Sequence, residues 1–141
     1  MAHSISIKAI KEHRNPFQAD CWNGLSRPIT KYEVTKAIQQ GKLLKPDSRS
    51  SVWGAEYKRS EHIQKIAYFV VKGWKRTIHL DVGSPDIGYY VDWLVEDGNH
   101  RLAAAIYRKD ETIKAFINGS LDEARELGLI PPKKPRPIAS L

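Results

Sequence analysis

The chain has 141 residues, the size of one domain: long enough to bury a real core and short for two. Its 41% hydrophobic and 28% charged residues fit a globular protein, and a net charge of +7 favours polyanionic partners such as nucleic acid, nucleotides or anionic surfaces. The one cysteine, Cys21, excludes an internal disulfide and a zinc ribbon. No apolar run resembles a signal peptide or is long enough to span a bilayer, so the expectation is a cytoplasmic protein with no membrane partner.

Taken in chain order, SISIKAI alternates Ile5 and Ile7 with polar residues and reads as a strand. Turn signals follow through RNPFQADCWNGLSRP. Thr30 and Glu33 have capping-box spacing, with Ile29 and Val34 placed as a hydrophobic staple, so a helix is predicted from Thr30 to a stop at Gly41. Residues 45–60 read as a long loop. Ile63, Ile66, Ala67 and Val70 have helical spacing and predict a second helix over 60–72. TIHLDV and YYVDWLV read as strands joined by the turn GSPDIG. An alanine-rich helix then spans HRLAAAIYRKD, TIKAFI is a strand, and Ser120 with Glu123 opens a last short helix. The proline-rich end, residues 131–141, holds no regular structure in this reading, which leaves residues 1–130 as one domain. Lys133, Lys134 and Arg136 put part of the excess charge in that tail. Strands interleaved with helices predict a single mixed α/β (α+β) domain, a small mixed sheet packed by helices.

Chemistry concentrates in VEDGNHRLAAAIYR, residues 95–108, where a strand passes into a helix through Asp97-Gly98-Asn99-His100-Arg101. A helix that starts after Gly98 leaves the N–H groups of Asn99, His100 and Arg101 without intrahelical acceptors, with the positive end of its dipole beside them. Phosphate is a natural ligand there. Gly98 would let the backbone approach closely, Arg101 would add a bidentate contact and His100 a further donor. The same residues also fit an ordinary strand-to-helix turn: Asp97-Gly98 is a common turn pair, Asn99 a good N-cap, and an arginine in a first turn is often solvated.

The strand, the motif DGNHRLAAA, its helix and the strand TIKAFI together resemble the nucleotide-binding core of the ParB/sulfiredoxin superfamily. Its Gly-x-His/Arg-Arg-x-x-Ala pattern matches Gly98, His100, Arg101 and Ala104. The likeness extends more loosely over residues 4–118 and is specific only over 95–106. It implies a phosphate pocket at Gly98, Asn99, His100 and Arg101, and a nucleoside triphosphate ligand carrying Mg²⁺. Any chemistry would be phosphoryl transfer or nucleotide hydrolysis, with Asp97 and His100 as the catalytic candidates. Sulfiredoxins carry their reactive cysteine where this chain has Asn99, so sulfinic-acid repair is not implied. Chromosome-partitioning members continue into helix-turn-helix and dimerisation domains that do not follow here. Two alternatives stay open: a DNA- or RNA-binding protein or nuclease using the same loop on backbone phosphates, and a non-catalytic interaction module of a phage or plasmid.

Other constellations carry less. No histidine pair has metal spacing, so no structural zinc and no protein-built metal cage is expected. Among Asp81, Asp92, Glu96 and Asp97, Asp97 is the candidate to meet a nucleotide-bound Mg²⁺. Arg49, Trp53, Tyr57, Lys58 and Arg59 mix bases with aromatics and fit either a single-strand contact or a loop plug over the core. No Gly-x-Ser-x-Gly accompanies the serines, which sets acyl transfer aside.

Overall fold

The computed structural model describes residues 2–18, 22, 25–46, 55–91 and 94–133. Cys21, Arg49, Trp53, Asp92 and the end of the proline-rich tail lie outside them. The fold is mixed α/β as expected: five helices and one four-stranded sheet among the described residues.

Strand β1 is Ala2–Ser6, and the chain turns directly into helix α1, Ile7–His13. Here the alternation of Ile5 and Ile7 misleads. Ser6 caps the helix, its Oγ accepting from Ala9 N–H at 3.1 Å. Ile7 and Ile10 then share a buried helical face at i, i+3 spacing. Helix α2, Lys31–Gln39, carries the complete capping box of Thr30 and Glu33. Helix α3, Ala55–Lys72, starts earlier than the periodicity predicts.

Strand β2 is Ile78–Asp81 and β3 only Val95–Asp97. The expected strand from Tyr89 onward is a correction. Tyr89 pairs back to Ser84 across a 3₁₀ turn, donates its hydroxyl to Asp81 at 2.6 Å, and leaves Tyr90 exposed. Alternation makes a strand only where a neighbour offers backbone partners; among the described residues, which leave out Trp93, the edge of β2 away from β4 meets residues 94–97. Helix α4, Asn99–Arg108, returns the chain to β4, Thr112–Asn118, and α5, Leu121–Glu126, closes the domain behind its Ser120 cap.

The sheet order is β1-β4-β2-β3, with β4 parallel to β2 and antiparallel to β1, and β3 antiparallel to β2. One face carries Ile5, Ile78, Leu80, Ile113 and Ala115 into a core closed by α1, α4 and α5. Helix α4 is buried on both sides. Leu102, Ala105 and Ile106 meet the sheet core, whereas Ala103 and Ala104 meet α2 and α3 through Val34, Ala37, Ile66 and Phe69. The alanines let α3 approach a helix already pressed on a sheet, since larger side chains there would overpack both layers. The opposite face of β4, with Thr112, Lys114 and Phe116, is open to solvent.

Candidate functional site

The fold places the N-terminus of α4 at the rim of a cleft of about 470 Å³. Asp97, Gly98, His100 and Arg101 form one wall, and Tyr68, Phe69, Trp74, Lys75 and Arg76 the other. Thus four of the expected site residues share one cavity; Asn99 is not among its lining residues. Leu102 is the first residue of α4 whose N–H finds an intrahelical carbonyl, donating to Gly98 O at 2.8 Å. The three N–H groups before it stand at the helix start, where the dipole favours an anion.

The residues of the motif divide their duties differently from the expectation. Gly98 has φ of 112°, and a methyl on it would fall 2.6 Å from Ile78 Cβ. Its missing side chain therefore makes room for β2, which accounts for the glycine without a ligand. Gly98, not Asn99, is the N-cap, and Asn99 Oδ1 is buried without a hydrogen-bond partner among the described residues.

Arg101 is buried, its side chain 9% exposed. It donates from Nη1 to the carbonyls of Arg76 and Thr77, at 3.1 and 2.8 Å, and from Nη2 to Asp97 at 3.2 Å. The guanidinium therefore ties the start of α4 to the segment entering β2. Burial lowers its pKa from the ordinary arginine value, opposed by Asp97 and assisted by Arg76. The hydrogen bonds hold it in place as a brace, and they fix the backbone of Arg76 at the cleft rim.

His100 is held in a cluster of three rings. Its centroid lies 4.9 Å from that of Trp22 and 5.1 Å from that of His62, and one imidazole N–H donates between His62 Nδ1 and His100 Nε2 at 2.8 Å. Burial, then the fields of His62, Lys65 and Arg101, push His100 down to about 3. His62 is lowered as well, chiefly by burial. The ring is thus neutral at pH 7, and its Nε2 is taken by His62. Of the two catalytic candidates, His100 is therefore poorly matched to proton transfer at pH 7, because a base so far below the working pH is seldom protonated there. The partner His62 was missed by sequence reading: it lies 38 positions away, and only the packing of α3 on α4 joins the two.

Asp97 is exposed, with one carboxylate oxygen on Arg101. Asp81 is occupied by Gly83 N–H and the Tyr89 hydroxyl. No group of three metal-ligating side chains occurs among the described residues.

Of the two readings of the mixed patch around Lys58 and Arg59, Arg59 fits the plug over the core. That side chain is buried and bonded to Glu33 and to the carbonyls of Arg27 and Pro28, so it cannot reach a ligand. Neighbouring aromatic and basic residues that do line the cleft are Trp74, Lys75 and Arg76. The run KGWKR carried that signal in the sequence, just past the helix stop at Gly73.

No family model matches the chain, and no match to it is found among curated proteins or solved structures. Fold and site define the chain only as a small mixed α/β domain with a three-layer core and a cleft at the start of its central helix. No helix among the described residues is long and apolar enough to cross a membrane.

Proposed function

We propose that this domain binds a nucleoside triphosphate in the cleft at the start of α4, as the ParB/sulfiredoxin resemblance implies. The observation that carries the reading is the joining of three features in one cavity: the N-terminus of a ten-residue helix, the cations Lys75 and Arg76, and the aromatic rings of Tyr68, Phe69 and Trp74. The free N–H groups and the exposed cations suit phosphate oxygens, and the half-buried rings of Tyr68 and Trp74, backed by buried Phe69, suit a base. Asp97 is the carboxylate available to the Mg²⁺ of the bound nucleotide, which would neutralise phosphate charge. Arg101 acts in this reading by holding the loop and Arg76 in position. Phosphoryl transfer or hydrolysis is the reaction class that such a site would serve.

The test is equilibrium binding of ATP, CTP, GTP and UTP, each with and without Mg²⁺, to the wild type and to Lys75→Ala and Tyr68→Leu. Micromolar binding of at least one nucleotide, weakened tenfold or more by either substitution, is the expected result. Absence of binding to all four would refute the proposal.

A further inference from the structure

On the other side of the segment 73–76 lies a second cavity, an open trough of about 560 Å³. Lys72, Lys75, Arg76, Arg108 and Lys114 line it with Thr112, Trp74, Gly73 and Ile113, and no carboxylate is among these lining residues. Three elements build it. Lys72 ends α3, Arg108 ends α4, and the alternation of β4 puts Thr112 and Lys114 together on the open face of the sheet. Lys72 and Arg108 each have a local reason to be basic, since cations in a last turn complement the helix dipole. Arg108 also pairs with Asp110 at 3.4 Å and lies 4.9 Å over the ring of Trp74. Lys75, Arg76 and Lys114 have no such reason. Together with Lys72 they make no ion pair with any described carboxylate, and all four are exposed.

Gathering like charges without counter-charges costs stability unless a polyanion is met there. The trough and the cleft share Gly73, Trp74, Lys75 and Arg76, so one lobe is cationic and the adjoining lobe aromatic. We infer that the ligand of this surface is a single-stranded nucleic acid, whose backbone lies in the trough while one base enters the cleft. A duplex hides its base faces, whereas a single strand offers them to aromatic rings and its phosphates to a basic groove. The base half of this inference rests on the nucleotide reading above. The backbone half rests on the trough alone.

The experiment is fluorescence anisotropy with end-labelled dT and U oligomers of about ten nucleotides, within the usual site size for such grooves. The proteins are the wild type and the double variant Lys72→Glu/Lys114→Glu, whose sites are exposed and outside the cleft; a thermal melt checks that it folds. Four unpaired cations predict a slope of log affinity on log salt of about −3, so binding should weaken roughly fifty-fold between 50 and 200 mM salt. The double variant should lose at least about tenfold at 100 mM salt and show a shallower slope. Comparison of the dT and U arms tells DNA from RNA.

No oligomer binding, or binding that the double variant leaves unchanged, overturns the inference. So does equal affinity for a duplex of the same length. Trough-dependent oligomer binding without any mononucleotide binding supports the backbone half and overturns the nucleotide reading. Mononucleotide binding without oligomer binding does the reverse.

Discussion

Replacing Arg101 by alanine separates a ligand-binding arginine from a brace. Its side chain is 9% exposed and its three hydrogen bonds run to Arg76 O, Thr77 O and Asp97. The Asp97 contact involves a carboxylate 63% exposed, so water screens it and it contributes at most about 1 kcal/mol. The two carbonyl bonds come from a buried, charged donor, a class worth about 1.5–3 kcal/mol each, discounted here because exposed Arg76 lets water reach one acceptor. Arg101→Ala should therefore destabilise the fold by about 2–4 kcal/mol, and Asp97→Asn by about 1 kcal/mol or less. Urea unfolding at pH 7, followed by tryptophan fluorescence, measures both; the melting temperature of Arg101→Ala should fall by roughly 6–15 °C. Arg101→Met, which keeps the aliphatic stem, should recover only the packing share of the loss. An Arg101→Ala protein within 0.5 kcal/mol of wild type that no longer binds nucleotide would refute the brace and make the arginine a direct ligand contact.

Other perturbations probe the layers around that brace. Glu33 is held down from 4.5 to about 2, first by its hydrogen bonds to Arg59 and also by Thr30, against the opposing effect of burial. A depressed carboxylate stabilises the fold above pH 4.5 by about 3 kcal/mol, and this is lost as pH falls towards 2. Glu33→Gln should therefore be about 3 kcal/mol less stable at pH 7 and converge on wild type near pH 2; parallel urea midpoints across that range would count against the pairing. The buried imidazoles act in a higher window. With His100 lowered from 6.5 to about 3, stability is complete above pH 6.5 and declines as pH falls, by roughly 2–3 kcal/mol at pH 4.5. The double variant His62→Phe/His100→Phe keeps three rings in the cluster and should flatten the stability profile between pH 7 and 4.5; an unchanged slope would place the acid sensitivity elsewhere. Lys109 caps α4 with φ of 62°, a conformation that favours glycine, so Lys109→Gly should raise stability by about 0.5–1 kcal/mol in the same urea assay. A loss instead would mean that the lysine side chain makes a contact worth more than the backbone strain.

Patterns confined to a few neighbouring residues were legible in the sequence. Thr30 and Glu33 announced α2, the run of Ala103, Ala104 and Ala105 announced the helix α4, and the alternation of Ile78, Leu80 and Val82 announced β2. These signals are local because capping and periodicity are satisfied within one or two turns. The sequence also marked residues 97–101 as the place where a strand hands over to a helix, and four of those five residues line the cleft. Their individual duties were another matter. Whether Arg101 faces a ligand or two carbonyls depends on where the segment before β2 passes, and whether His100 is free depends on α3 bringing His62 beside it. Tertiary contact likewise decided that Ile7 turns into a helix and that Tyr89 folds back onto Asp81, since strand formation needs a partner that spacing cannot supply. The basic trough was equally beyond sequence reading: Lys72, Arg108 and Lys114 come from three elements far apart in the chain. A count of +7 states the charge of the molecule, and only the fold gathers those cations onto one surface.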